Sequence, residues 1–219
     1  MSVFERKADR YDSWFRTNAA AYRSELAAVR EAAGPPEEQG RGLEVGSGTG
    51  RFAIPLHIGL GVEPAAAMRR RAAQRGMRSV AGVAEHLPFA DDSFDLVLVV
   101  TTICFVDDPR ACVDEASRVL RDGGRLVIGY IDRDSSLGRL YRASRDASPF
   151  YASATFFRSA EIEELLRGCG LSGLQWRQTL FGDAETVHVE EPVKEGREEG
   201  SFVVVTAFRE RDGSGAGQE

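Results

Sequence analysis

Leu43-Glu44-Val45-Gly46-Ser47-Gly48-Thr49-Gly50 is the stretch on which the fold turns. A short apolar strand runs into three alternate glycines, which let the backbone turn tightly and approach a ligand with no Cβ in the way. The dinucleotide fingerprint G-x-G-x-x-G/A would need glycine or alanine at position 51, and this chain has Arg51. An ordinary glycine-rich turn between strand and helix is the plain alternative.

Outward from that loop, strands and helices alternate. Residues 42–45, 60–62, 79–81, 94–100 and 125–131 read as strands, 65–75 and 109–121 as helices, the second opened by Pro109. Such alternation predicts parallel β-α-β units with helices on both faces of one sheet. Pro55 leaves room for no more than a turn or two of helix after the glycine loop. Upstream, residues 3–33 carry apolar side chains at helical spacing (Phe4, Ala8, Tyr11, Phe15, then Tyr22, Leu26, Val29) until Gly34-Pro35-Pro36. Downstream, residues 132–158 read as an irregular or helical insertion, followed by a helix over 159–167 and strands over 175–181 and 202–208. The segment 190–196 reads as a charged loop, and 210–219 as a disordered tail. The predicted organisation is a helical lid over 1–33 and one α/β domain over 34–209.

Composition narrows the function. The chain has 219 residues, 42% hydrophobic and 28% charged, as an ordinary globular protein has. A net charge of −6 argues against general nucleic-acid binding, since phosphate neutralisation needs a basic surface. The N-terminal stretch lacks a signal-peptide core, and the run 96–100 is too short to span a bilayer, so no membrane role is expected. Cys104, Cys112 and Cys169, an odd set without metal spacing, read as reduced thiols of a cytoplasmic protein. His57, His86 and His188 form no ligand pattern either, and no metal is expected.

Three further segments carry a resemblance. Gly61-Val62-Glu63-Pro64 places an acid at the end of the second strand. Ala84-Glu85-His86-Leu87-Pro88-Phe89-Ala90-Asp91-Asp92-Ser93-Phe94-Asp95 is the longest match, and Asp107-Asp108-Pro109 with Arg118–Gly124 continues it. With the glycine loop, this order resembles the class I S-adenosylmethionine-dependent methyltransferases, in the branch that includes the ubiquinone and menaquinone biosynthesis enzymes. The resemblance covers about residues 40 to 130, and Tyr11-Asp12 more loosely. It implies a Rossmann-like, doubly wound, mostly parallel seven-stranded sheet with an antiparallel last strand. It also implies S-adenosylmethionine as cofactor and methyl transfer to a small-molecule acceptor as the activity. The other readings are a non-catalytic S-adenosylmethionine-binding protein, a macromolecular acceptor, and, against Arg51, a nicotinamide dehydrogenase.

On the resemblance, the cofactor contacts fall to Tyr11, Glu44, Gly46, Ser47, Gly48, Gly50, Glu63, Pro64, Ala84, Glu85 and Thr101, with Glu63 accepting the ribose hydroxyls. Position 83, often an aspartate facing the adenine in such enzymes, is Val83, so that contact passes to Glu85 or the backbone near Ala84. Acceptor-side candidates are Trp14, Cys104 and Tyr130, together with Arg139 and Arg142. The last two belong to an insertion with five arginines against three aspartates, which suggests an anionic acceptor. Arg69-Arg70-Arg71 reads as a solvated helix face. In-line attack on an activated methyl requires alignment and a general base only if the acceptor loses a proton, so no catalytic residue is assigned.

Overall fold

The computed structural model describes residues 2–144, 148–182 and 187–210. Arg145, Asp146 and all of the expected tail except Glu210 lie outside them. Eight strands form one sheet: β1 (Gly42–Val45), β2 (Leu60–Val62), β3 (Arg78–Val80), β4 (Phe94–Val100), β5 (Leu120–Ile131), β6 (Leu171–Thr179), β7 (Lys194–Glu195) and β8 (Phe202–Arg209). Their order is β3-β2-β1-β4-β5-β8-β6-β7. The first five pair in parallel, and β8 is antiparallel to both β5 and β6. The fold is the expected Rossmann-like one. Its strand count is corrected from seven by β7, a two-residue edge strand on β6 inside the segment read as a loop.

The sheet is central because β4 is apolar on both faces. Leu96, Leu98 and Val100 pack with helix α3 (Ala19–Ala33), whereas Val97 and Val99 pack with α6 (Pro109–Val119) and α8 (Ser159–Gly168). This is the continuous apolar pattern of a strand covered twice. Pro109 sits at the first position of α6, and the Asp108 carboxylate caps it by accepting from the Arg110 and Ala111 amides. That helix stops at Val119, earlier than expected. Leu120 enters β5, and the pairing with β4 jumps from Phe94↔Leu120 to Leu96↔Arg125 around Gly123, whose φ is +74°.

Between β1 and β2 the chain makes only a 3-10 turn over Ile54–Leu56, as Pro55 implied. Then follow α5 (Ala66–Gln74) and, after β5, α7 (Ser136–Ala143).

The N-terminal segment folds as α1 (Val3–Arg6), α2 (Ala8–Thr17) and α3, and the short α4 (Pro36–Gln39) leads on to β1. Its charges hold it to the α/β body. Buried Asp12 accepts from Arg75 at 2.7 Å, Arg51 at 3.1 Å and the Thr49 hydroxyl at 2.8 Å. Asp9 pairs with Arg71 at 2.6 Å, and Glu5 accepts from the Ala67 amide and lies 3.9 Å from Arg70. The solvated reading of the run 69–71 is therefore corrected in part. Arg69 donates to the Glu63 and Pro64 carbonyls and Arg71 pairs with Asp9, while Arg70, 3.9 Å from Glu5, stays exposed.

Burial pushes the Asp12 carboxyl up, but the hydrogen bonds from Arg75 and Thr49 and the guanidinium charges outweigh it and hold it below the usual value. The unfolded chain then binds more protons than the native one, so this contribution is present at neutral pH and is lost as pH falls through the acid range, below about 4. Asp12→Ala is expected to lower unfolding free energy by roughly 1.5–3 kcal/mol at pH 7, read from the urea midpoint, and by less at pH 3. An equal loss at both pH values would show that the charge is not what matters.

Candidate functional site

A cavity of about 800 Å³ opens over the carboxyl ends of β1, β2 and β4, roofed by α1, α2 and the segment 148–156. This is where open α/β sheets bind ligands. Its floor is the glycine loop. Gly46 and Ser47 both donate to the Val62 carbonyl, at 2.8 and 3.0 Å, tying the loop to the end of β2. Gly46 has φ +69°, and a Cβ there would lie 2.3 Å from Thr102. Gly48 has φ +52°, and its Cβ would lie 3.2 Å from the Tyr11 hydroxyl. Both positions thus need glycine for conformation and for space.

Glu63 follows β2 and is buried against the same loop. Its Oε2 accepts from the Gly48 amide at 3.0 Å and its Oε1 from the Ala65 amide at 2.8 Å. Each oxygen keeps a second lone pair for another donor. Burial raises its pKa, with those two amides opposing. Tyr11 lies half-buried beside Gly48; desolvation, then the charges of Glu44 and Glu63, push its phenol far up, so it stays a donor. Thr101 ends β4 with φ +50°, an uncommon conformation for a β-branched residue, and it lines the cavity.

Of the expected cofactor residues, Tyr11, Gly46, Gly48, Glu63, Pro64, Ala84, Glu85 and Thr101 come together on the cavity wall. Glu85 also accepts from the Asp107 amide at 2.7 Å, and Val83 lies on the wall, half exposed. Glu44, Ser47 and Gly50 do not reach the wall. The Glu44 carboxyl sits below the loop and accepts from the Ala53 amide at 3.2 Å, its pKa pushed up to about 8 by burial. Ser47 faces Ser79 at 3.3 Å, and Gly50 packs on Ile54 and Met77. These three shape the loop from beneath.

On the acceptor side, Trp14 and Cys104 line the cavity. Burial pushes the Cys104 thiol up to about 12, which makes it an inert thiol at neutral pH. Tyr130, Arg139 and Arg142 are not brought to it. The Tyr130 hydroxyl is buried against Ser159 at 2.9 Å. Arg139 and Arg142 project from α7 onto a separate surface depression, where Arg139 donates to the Asp134 carbonyl. The aromatic part of the same segment does reach inward: Tyr141, Phe150, Tyr151 and Phe156 line the cavity. So does Glu25 of α3, 4% exposed, which the sequence reading passed over. Its signal was there, because Glu25 falls on the apolar stripe of Ala21, Ala28 and Val29.

Among the described residues, no cluster of three or more His, Cys, Asp or Glu fits a metal, and no helix is long and apolar enough to cross a membrane.

A glycine-floored cavity over parallel strand ends, with an acid after β2, defines a nucleoside-cofactor site of the Rossmann-like kind, and the chain's relatives make it that of a class I S-adenosylmethionine-dependent methyltransferase. Residues 43–128 match the family model described as a methyltransferase domain. An uncharacterized protein of Methanocaldococcus jannaschii is 41% identical over 94% of this chain and 98% of its own length. A solved S-adenosylmethionine-dependent methyltransferase of Thermotoga maritima, described as a possible histamine N-methyltransferase, is 46% identical over 94% of this chain and 98% of that one, with a TM-score of 0.90. A malonyl-[acyl-carrier protein] O-methyltransferase of Methylococcus capsulatus is 31% identical over 68% of this chain and 57% of its own length. The chain belongs to the S-adenosylmethionine-dependent methyltransferase family.

Gly48→Val adds a branched side chain at positive φ against Tyr11. It is expected to abolish measurable S-adenosylhomocysteine binding by calorimetry. Unaltered affinity in a folded variant would remove the glycine loop from the binding site.

Proposed function

We propose that the chain methylates a small molecule held in the same cavity as the donor. The observation that carries this is the roof: α1, α2 and the 148–156 segment partly cover a space of about 800 Å³, a size suited to small ligands. Bound S-adenosylmethionine supplies an electrophilic methyl on a sulfonium sulfur. The chain's own part is to hold and orient the reactants and keep water out, which is worth up to roughly 7–11 kcal/mol in well-aligned systems. Gly46, Gly48, Tyr11, Pro64 and Thr101 form the donor's cradle. Glu63 accepts the ribose hydroxyls on its free lone pairs, and Ala84 with Glu85 borders the adenine. Trp14 and the aromatic residues of 148–156 bound the acceptor end, with residues 1–33 as the lid.

The description of the Thermotoga maritima relative as a possible histamine N-methyltransferase supports a small acceptor. The stretch 84–95 supports a kinship with the ubiquinone and menaquinone branch. A macromolecular acceptor is the second reading, favoured by a Haloferax volcanii methyltransferase solved with the Trm112 methyltransferase activator; at 19% identity and a TM-score of 0.72, that likeness is one of fold.

Two measurements test the proposal. Glu63→Ala is expected to weaken S-adenosylhomocysteine by about 10- to 150-fold, from the loss of roughly 1.5–3 kcal/mol; an unchanged dissociation constant would free Glu63 from the ribose. Methyl-labelled donor incubated with a cell extract is expected to label the low-mass fraction. Label confined to protein or RNA would overturn the small-molecule reading.

A further inference from the structure

Glu25 is a buried carboxyl with no partner among the described residues. It is 4% exposed, makes no hydrogen bond or ion pair with them, and lines the cavity. No buried side-chain oxygen sealed from solvent lacks a partner among the described residues, so its oxygens keep their access to the cavity space. Burying a polar group unpaired is costly, and an isolated charge more so. Such a group, aimed into a ligand cavity, is satisfied by the ligand.

Resting on the reading above, we propose that the methyl acceptor is an organic amine, bound as its ammonium ion with Glu25 as the counter-ion.

The surroundings select a cation. The groups near enough to act on Glu25 electrostatically are the phenols of Tyr11 from α2, Tyr22 from α3 itself, Tyr141 from α7 and Tyr151 from the roof segment. All four are held protonated by burial, and among the described residues no Lys or Arg acts on it. Tyr141 and Tyr151 stack at 4.2 Å between ring centroids, with Phe156 at 6.0 Å from Tyr151. Aromatic faces attract ammonium groups electrostatically, most strongly where water is excluded. Among the described residues, the only guanidinium groups on the cavity wall are those of Arg6 and Arg10, both exposed, on α1 and α2. The anion-binding alternative needed Arg139 and Arg142, which lie outside.

The same carboxyl solves a chemical problem. An ammonium nitrogen has no lone pair to offer. When Glu25 takes its proton, an N–H bond breaks, an Oε–H bond forms, and a neutral amine with a free pair remains in the pocket. Desolvation pushes Glu25 up to about 8, which brings it closer to an amine than an exposed carboxyl is.

The test uses the full chain saturated with S-adenosylhomocysteine, titrated calorimetrically with 2-phenylethylamine, 2-phenylethanol and 3-phenylpropanoate. The amine is expected to bind at least tenfold tighter than the alcohol, and the carboxylate weakest. Because Glu25 must ionise to pair with ammonium, amine binding at pH 7 should release a proton, seen as a dependence of heat on buffer. Amine affinity should rise with pH up to about 8 and then level off, while alcohol affinity stays flat. Glu25→Gln should keep S-adenosylhomocysteine and alcohol affinity but lose the amine preference and the proton release. Equal binding of amine and alcohol, a preference for the carboxylate, no binding of any of the three, or an amine preference that survives in Glu25→Gln would each overturn the proposal. Should the variant not fold, the wild-type pH profile decides alone. Failure of S-adenosylhomocysteine itself to bind would instead overturn the methyltransferase reading beneath it.

Discussion

The Asp12 carboxylate joins the two halves of the site. It sits on α2, yet its partners belong to the α/β body: Thr49 and Arg51 on the glycine loop, Arg71 on α5 and Arg75 just past it. One buried acid therefore sets the height of the N-terminal helices above the strand ends. The cavity is the gap left between them. Two flanking contacts, Asp9 with Arg71 and Glu5 with the Ala67 amide, fix the rotation of those helices, so that Tyr11 comes down beside Gly48. A buried ion pair is poor evidence of stability in itself, because desolvation offsets much of the attraction. What it provides here is a single arrangement, since leaving the buried Asp12 charge unpaired would be costly.

The carboxyl groups around the cavity divide by what satisfies them. Asp12 is answered by guanidinium groups and stays ionised. Glu44 and Glu63 are answered by backbone amides of the loop they support. Glu25 is answered by nothing among the described residues. Burial alone would raise all four; the partners decide which remain charged at neutral pH. The site thus combines an acid fixed in its charge, acids that brace backbone, and one acid left open to a ligand.

The segment 132–158 shows how composition can mislead about direction. Its arginines suggested an anion site, but a guanidinium on a helix reaches water more cheaply than a buried pocket. Arg133 pairs with Glu161, Arg158 with Asp134, and Arg139 and Arg142 stay at the surface. The inward-facing part of the segment is aromatic, because rings lose little by leaving water. The arginine run on α5 erred the other way, toward solvent, because its acidic partners lie about sixty residues away in sequence.

The fold was legible in the sequence because its determinants are local. Alternate glycines force left-handed turns, Pro55 shortens the helix after the loop, and the apolar run of β4 needs cover on both faces. The candidate donor site was legible for the same reason: Gly46, Gly48 and Glu63 follow strand ends, Ala84 and Glu85 lie in the loop after β3, and strand ends converge in this topology. The roles of Glu44, Ser47 and Gly50 were not, since lining a cavity and bracing its floor look alike in a motif. Nor were β7, the Asp12 contacts or the place of Glu25. Each of these depends on groups brought together over long separations, and on which side of a helix faces water. Local sequence carries backbone preference; only the packed chain decides which buried acid is left without a partner.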